Sequence, residues 1–139
     1  MSNDPGPEGQ TTVRQVMARG WVRCVPDTPL SAVAAVMRER GVDRVVITEA
    51  MEADPGQAEL GLITTGTILD EVAAGTEDRT AGEVAIRPLP CVTSEDTVEH
   101  ARHRLKALGV VHLGVTGRDG GLVGLVDAEA LDGAAAALP

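Results

Sequence analysis

The 139-residue sequence has almost no aromatic side chains: it contains neither Phe nor Tyr, and Trp21 is its single Trp. Basic residues are also scarce: the chain has 12 Lys and Arg but 21 Asp and Glu, so its net charge is −9. Proteins that bind nucleic acids generically need a basic stripe and, for unpaired bases, aromatic platforms. The composition therefore argues against a nucleic-acid partner, and an anionic membrane would repel the chain for the same reason.

Long apolar runs, targeting signals and metal-type cysteine spacings are missing as well. No run approaches the length of a membrane span, and the start MSNDPGPEGQ lacks the basic and apolar regions of a signal peptide. We therefore expect a cytoplasmic protein with a flexible tail over residues 1–10. Cys24 and Cys91 have no CxxC spacing and are expected to be small buried residues; whether they pair is left open.

What the sequence does contain is a globular composition and an internal repeat. With 43% hydrophobic and 24% charged residues, the chain can form one domain, or two half-domains that share one core. A shift of 68 residues aligns Gly41-Val42 with Gly109-Val110, and a shift of 63 aligns Gly61-Leu62-Ile63 with Gly124-Leu125-Val126. We assign the copies to residues 11–75 and 76–139, with the turn-rich segment EAMEADPGQAEL as an exposed insertion in the first.

Each copy predicts the same order of elements: strand, helix, strand, strand, helix, preceded by a short helical turn. In the first copy, Thr28 is the expected cap of a helix whose apolar stripe ends at Gly41; in the second, Asp96 is the expected cap and Gly109 the end. The closing helices are predicted over residues 67–74 and 128–138. A sheet with helices on one side leaves its other face apolar, so we expect two α/β repeats packed sheet to sheet with pseudo-twofold symmetry.

With these repeated elements, the sequence resembles a tandem pair of CBS domains, often called a Bateman module. It is most like small bacterial proteins that consist of such a pair alone. The resemblance covers residues 11–138. It is carried by TVRQVM, VPDTPLSAVAAVMRERGVDRVVI and GLITTGTIL in the first copy, and by TAGEVA, VTSEDTVEHARHRLKALGVVHLGV and GLVDAEAL in the second. It implies a protein without catalytic activity that binds adenosine nucleotides in two clefts between the repeats, forms flat homodimeric discs and regulates a partner protein.

The family's nucleotide motif ends each repeat with Thr or Ser, two variable residues and Asp. The first copy keeps Thr64, followed by Thr65, but has Thr67 at the Asp position; the second has Asp127 and Ala130 and so loses both motif residues. The resemblance also implies a basic residue in the second strand of each copy, which matches Arg44 and His112. In the implied clefts, Thr64 and Thr67 share one site with His112, while Arg44 faces Asp127 in the other and can pair with it.

The residues leave more than one interpretation open. Thr64, Thr65 and Thr67 are equally consistent with ordinary helix capping, and Arg44 with an exposed salt bridge. We predict a sensor whose regulatory ligand is AMP, ADP, ATP or S-adenosylmethionine; the alternative is a dimerisation or partner-docking module that has lost nucleotide binding. A third interpretation, an enzyme with a metal on His100 and His103, is weak because two ligands do not complete a coordination shell.

Overall fold

The computed structural model describes residues 11–49 and 60–136. The predicted tail, residues 1–10, and nearly all of the predicted insertion lie outside the described residues. The described chain divides into two compact units. The repeat-one unit comprises residues 21–49 and 60–89, and the repeat-two unit comprises residues 11–20 and 90–136.

The repeat-one unit is a three-stranded sheet with helices, and its element order confirms the predicted α/β repeat. Strand β2 is parallel to β3, as expected for strands joined by a crossover helix, and β3 is antiparallel to β4. The sheet order is β2-β3-β4. The elements are β2 (Arg23–Cys24), α2 (Leu30–Arg40), β3 (Arg44–Ile47), β4 (Gly61–Thr64), α3 (Thr65–Ala74) and α4 (Ala81–Val84).

The repeat-two unit has the same arrangement with one additional strand. Its four-stranded sheet has the order β1-β7-β6-β5, in which β5 and β6 are parallel and the other pairs are antiparallel. The elements are α1 (Val13–Val16), β1 (Ala18–Arg19), β5 (Cys91–Thr93), α5 (Val98–Leu108), β6 (His112–Thr116), β7 (Leu122–Asp127) and α6 (Ala128–Ala136). None of the helices in the described ranges is long and apolar enough to span a membrane.

Each unit has its own apolar core between the sheet and the helices. In the repeat-one unit, Val45, Ile47 and Ile63 pack with Leu30, Val33 and Met37 of α2, among others. Because side chains alternate along a strand, Arg44 and Thr64 lie on the opposite face of this sheet. In the repeat-two unit, Leu113, Val115 and Val126 pack with Val98, Ala101 and Leu105 of α5. His112 and Asp127 therefore lie on the face away from those helices.

The short segment that leads into each repeat belongs to the unit of the other repeat. The backbone N–H of Val13 donates to the carbonyl of Asp96 at 2.8 Å, and that of Val98 donates to Thr11 at 2.9 Å. The equivalent bonds join Ala81 to Thr28 and Leu30 to Arg79. Each compact unit thus contains the lead-in segment of the other sequence repeat. The predicted limits, residues 11–75 and 76–139, describe the sequence repeats and differ from the compact units at these segments.

A close backbone approach holds each lead-in segment at the edge of its sheet. Strand β1 pairs with β7, where Arg19 lies opposite Gly124. A Cβ at Gly124 would lie 2.7 Å from the carbonyl oxygen of Ala18, so only glycine fits. In the repeat-one unit, Leu62 and Ile86 exchange two backbone hydrogen bonds of 3.0 and 2.9 Å. The additional strand was not predicted from the sequence.

The predicted helix ends are confirmed, whereas the predicted caps are displaced by one residue. Gly41 and Gly109 adopt left-handed φ values of 66° and 68° and end α2 and α5 as expected. The N-cap of α2, however, is Pro29 and not Thr28. The N-cap of α5 is Thr97, whose hydroxyl accepts from His100 N at 3.0 Å, while Asp96 accepts from the N–H of Thr93.

Neither Cys24 nor Cys91 forms a disulfide bond within the described chain, and both are buried, which confirms the expected role as small core residues. Burial raises the pKa of the Cys24 thiol. Burial also raises the pKa of the Cys91 thiol, to about 11, because it outweighs the opposing effects of the Arg104 charge and a hydrogen bond from the Gly114 backbone. Each thiol is therefore protonated at neutral pH.

Candidate functional site

Two equivalent junctions, where the last strand of each repeat continues directly into the last helix, carry the candidate residues. At the β4–α3 junction, the N–H of Thr65 donates to the carbonyl of Asp43 at 3.1 Å. At the β7–α6 junction, the N–H of Ala128 donates to the carbonyl of Val111 at 2.9 Å. These bonds fix the first residue of each helix against the residue that directly precedes β3 or β6 in its own unit, so both helix N-termini are held in the same way.

Three threonine hydroxyl groups surround the N-terminus of α3. Thr64 is the N-cap, and its hydroxyl accepts from the N–H of Thr67 at 3.3 Å. The hydroxyl oxygens of Thr64 and Thr67 are also 3.3 Å apart, and the Thr65 hydroxyl donates to the carbonyl of Asp43 at 3.4 Å. The first turn of α3 contains no acidic residue. The capping interpretation of Thr64 thus matches its geometry, and the helix N-terminus carries no negative charge of its own.

Arg44 lies beside this junction in the same unit. Its Cα is the register partner of that of Thr64, and directly opposed residues of an antiparallel pair project from the same sheet face. The guanidinium is held by the neighbouring carboxylate, because its Nε and Nη2 both lie 2.8 Å from Asp43 Oδ1. The Arg44 side chain is only 18% exposed, against 59% for Asp43. Asp43 was not singled out in the sequence; its position next to Arg44, just before the strand, was the available signal.

The β7–α6 junction has a carboxylate where the β4–α3 junction has a neutral hydroxyl. Asp127 Oδ1 accepts from the N–H of Ala130 at 2.8 Å, so a carboxylate caps α6. Glu129 adds a second acidic residue in the first turn. His112, a buried residue, is the register partner of Asp127. Since helix N-termini attract negative charge, Asp127 and Glu129 already supply at α6 what a bound anion would supply at α3.

The structure therefore groups the predicted residues by repeat. Arg44, Thr64, Thr65 and Thr67 lie together in the repeat-one unit, and His112 and Asp127 lie together in the repeat-two unit. The predicted sharing of one site by Thr64 and His112, and the predicted pairing of Arg44 with Asp127, stay predictions. Chemically, the β4–α3 junction offers hydroxyl groups, a helix N-terminus and a guanidinium, which are groups that bind phosphate or another oxyanion.

The two histidines considered for a metal lie on α5 away from its buried stripe. His103 Nε2 is 3.4 Å from Glu99 Oε2, and these side chains are 75% and 60% exposed. Over residues 11–49 and 60–136, no group of three or more His, Cys, Asp and Glu side chains is arranged to hold a metal ion. The pair of His100 and His103 is thus an exposed helix face within the described chain.

Comparison with known families identifies the fold. The sequence model of the CBS domain matches the chain twice, over residues 13–74 and 81–135. These two matches cover most of the chain and coincide with the two sequence repeats. The chain therefore belongs to the CBS domain family, as a tandem pair. Among curated proteins, the comparison finds no match.

Solved structures share this fold. The CBS domain pair of protein MJ0100, in complex with 5'-methylthioadenosine and S-adenosyl-L-methionine, has a TM-score of 0.75 at 16% identity; 91% of this chain and 94% of that chain are covered. The CBS domain protein PAE2072 from Pyrobaculum aerophilum, complexed with AMP, has a TM-score of 0.73 at 21% identity, with 86% and 88% covered. Hypoxic Response Protein I with two coordinated zinc ions has a TM-score of 0.69 at 26% identity, with 93% and 100% covered.

Proposed function

We propose that the protein is a non-enzymatic regulatory module that binds an adenosine nucleotide or a related metabolite at the β4–α3 junction, and that it works as a homodimer. The observation that carries this proposal is the contrast between the junctions. The N-terminus of α3 is capped by the neutral Thr64 with Arg44 in register, whereas that of α6 is capped by Asp127. The ligands of MJ0100 and PAE2072, both of which contain adenosine, support the ligand class.

The roles of the residues follow from their chemistry. The exposed first turn of α3 and the Thr64 hydroxyl would receive phosphate or a carboxylate, and Arg44 would supply the positive charge. Thr67 stands where the family motif has the Asp that accepts hydrogen bonds from ribose. Because a hydrogen bond to a charged group contributes about 1.5–3 kcal/mol, its absence should weaken ribose binding by about ten- to a hundredfold. We therefore expect weak binding of the nucleotide.

Titration calorimetry with AMP, ADP, ATP and S-adenosylmethionine tests the proposal. We expect heat from at least one ligand, and we expect Thr64→Val and Arg44→Gln each to weaken binding by about tenfold, since each removes one polar contact. Thr97→Val is the matched control, because it removes an equivalent hydroxyl cap from α5 in the repeat-two unit. His112→Gln tests the contribution that the family resemblance implies for that residue. No response to any of the four ligands at millimolar concentration would overturn the sensor function.

Thr67→Asp provides a gain-of-function test of the same site. The substitution restores the family's carboxylate in the first turn of α3, so affinity for a nucleotide should rise by about tenfold or more. Aspartate near a helix N-terminus also stabilises the helix itself, and the readout must therefore be the dissociation constant and not the melting temperature. An unchanged dissociation constant would show that the ribose does not reach this residue.

The second candidate function is a dimerisation or partner-docking module without a ligand. One observation favours it: Leu69 and Val72 of α3 are among the most exposed large apolar side chains in the described chain, at 62% and 53%. Exposed apolar surface of this kind marks protein interaction sites. A protein that associates but shows no heat with any of the four ligands would have this second function.

A further inference from the structure

The ion pair beside the β4–α3 junction is formed by two consecutive residues. Arg44 Nε and Nη2 both lie 2.8 Å from Asp43 Oδ1. These two nitrogens form the edge of a guanidinium that can bind two oxygens of a carboxylate or a phosphate in parallel. An anionic group of a ligand that approaches Arg44 along this edge must therefore compete with the carboxylate of Asp43 for the same two N–H groups.

The backbone holds Asp43 at the N-terminus of α3. Its carbonyl accepts hydrogen bonds from both the N–H and the hydroxyl of Thr65, the first residue of the helix, at 3.1 and 3.4 Å. Asp43 also directly precedes β3, in which Arg44 is in register with Thr64. A ligand that contacts the Thr64 hydroxyl and the Arg44 guanidinium therefore also meets the carboxylate of Asp43.

The fold does not require a carboxylate at this position. The equivalent residue of repeat two is Val111, whose carbonyl accepts the corresponding hydrogen bond from the N–H of Ala128. An apolar residue thus supports the helix N-terminus of repeat two by the same backbone contact. The side chain of Asp43 is not needed for that contact, and its charge is a separate property of the repeat-one junction.

The two partners of the ion pair differ in exposure. The Arg44 side chain is largely buried, whereas that of Asp43 is exposed. Because an exposed ion pair contributes little to stability, the carboxylate can turn away from Arg44 at small cost when a ligand binds. Its negative charge nevertheless stays beside the junction, where it repels anionic groups and attracts cationic groups of the ligand.

The charges around the junction nearly balance. Asp43 and Arg44 together add no net charge, and the N-terminus of α3 adds only about half a positive charge. Another basic residue, the exposed Arg38, lines the groove between α2 and α3, on the helix side of the sheet. The sheet face that carries Arg44 and Thr64 thus suits a ligand with little net negative charge better than a triphosphate.

We infer that Asp43 is a specificity-determining residue, which makes the β4–α3 junction select an adenosine metabolite with a positive group beside its anionic group, as in S-adenosylmethionine, against ATP. This inference rests on the proposed function and names the ligand class of its site. The ligand carboxylate lies at the helix N-terminus and Arg44, and its ammonium or sulfonium group lies near Asp43. The phosphates of ATP would instead bring several negative charges to the same carboxylate.

Titration calorimetry of the full chain with ligands of graded charge tests this inference. We expect the affinity of the unaltered protein to fall from S-adenosylmethionine to AMP and from AMP to ATP. Asp43→Asn keeps the shape of the side chain and removes its charge. It should raise the affinity for ATP by about tenfold and should not raise that for S-adenosylmethionine. A purely structural role of Asp43 would change all these dissociation constants by a similar factor.

Asp78→Asn is the matched control. It removes the same charge from an exposed position of the repeat-one unit, beyond the C-terminal end of α3. A helix of ten residues is about 15 Å long, which exceeds the Debye length of about 8 Å at physiological ionic strength. The control should therefore leave the ratio of the ATP and S-adenosylmethionine dissociation constants unchanged.

Three further variants of the ion pair sharpen the test. Asp43→Glu keeps the charge and should keep the order of affinities. Asp43→Val places the residue of repeat two at this position, and as a second neutral variant it should show the same change of ratio as Asp43→Asn. Arg44→Gln added to Asp43→Asn should cancel the gain for ATP, because the guanidinium is the group that the first substitution releases. Circular dichroism establishes that each variant is folded.

The possible results separate this inference from the proposed function. A preference of the unaltered protein for ATP, or an unchanged ratio in both neutral variants, would overturn the role of Asp43 while the sensor function stands. The absence of heat from every ligand with the unaltered protein would overturn the sensor function, and this inference with it.

Discussion

The last helices of the two repeats occupy equivalent places, but only one of them is fully integrated into its unit. Helix α6 places Leu131 in the core with no exposed surface, and it is capped by a carboxylate. Helix α3 places Ile68 at the equivalent position, where it is only half-buried, and it is capped by a hydroxyl. On its outer side α6 is joined to α5 by the ion pair of Asp132 with Arg102, whereas α3 exposes Leu69 and Val72.

This difference shows how a duplicated scaffold can divide its tasks. The pairing of the shared strands and the crossover helices correspond in the two units, because both need an apolar core between sheet and helices. The junction and outer face of the last helix are under no such constraint. In repeat two the last helix has a charged cap and an ion pair on its outer side, whereas in repeat one it has a neutral cap and exposed apolar side chains. Three comparisons between the repeats test this contrast within the protein.

The largest expected effect comes from truncating the anchor of each last helix. Leu131→Ala should lower the free energy of unfolding by about 2–5 kcal/mol, because it leaves a cavity in a fully buried site. Ile68→Ala removes a side chain of similar size from a half-buried site and should cost about 1–2 kcal/mol. Urea denaturation of both variants measures the difference. Equal losses would mean that α3 is anchored as firmly as α6.

Removing the cap of α6 should also lower the free energy of unfolding more than removing the cap of α3, but both losses should be smaller than that of Leu131→Ala. Asp127→Ala removes a charged cap with a 2.8 Å hydrogen bond, whereas Thr64→Ala removes a neutral cap with a 3.3 Å bond. We expect a loss of about 1 kcal/mol for Asp127→Ala and less for Thr64→Ala, with Asp127→Asn close to the unaltered protein since Asn caps as well as Asp. Thermal unfolding measures all three. A greater loss for Thr64→Ala would reverse the assignment of α6 as the self-satisfied helix.

The smallest effect is a difference in reactivity without a change in stability. Cys24 and Cys91 lie in the corresponding strands β2 and β5, and burial raises the pKa of both thiols, that of Cys91 to about 11. Because the thiolate is the reactive form, iodoacetamide at about pH 8 should label both slowly in the folded protein and Cys91 more slowly than Cys24. Mass spectrometry of digested samples gives the two rates, with protein unfolded in urea as the control. Labelling of folded Cys91 at the unfolded rate would contradict its burial.

Much of the fold could be predicted because the repeat itself carries the information. The spacing of Leu30, Val33 and Met37, and of Val98, Ala101 and Leu105, marks one helical face in each copy, and all six residues are buried there. The terminating Gly41 and Gly109 were also predicted, since their left-handed conformation favours glycine. The candidate junction could be found from the family motif, because the Thr64 position follows directly from the strand pattern.

The parts that could not be predicted depend on contacts between distant segments. Strand β1 is only two residues long, and its pairing with β7 depends on Gly124, more than a hundred positions away. Thr28 was a reasonable cap by residue type, but its carbonyl accepts from Ala81 and the helix begins after Pro29. Asp43 was missed because its side chain acts by pairing with the neighbouring Arg44, and its backbone carbonyl by accepting a hydrogen bond from Thr65.

The crossed lead-in segments have a consequence for inheritance. A gene that encoded one sequence repeat alone would specify a lead-in segment for the edge of a sheet it does not possess, and it would lack the lead-in segment that pairs with its own sheet. Recombination between the repeats would therefore produce two incomplete products, whereas duplication or loss of the whole pair would not. Selection for a foldable chain should then preserve the two halves together.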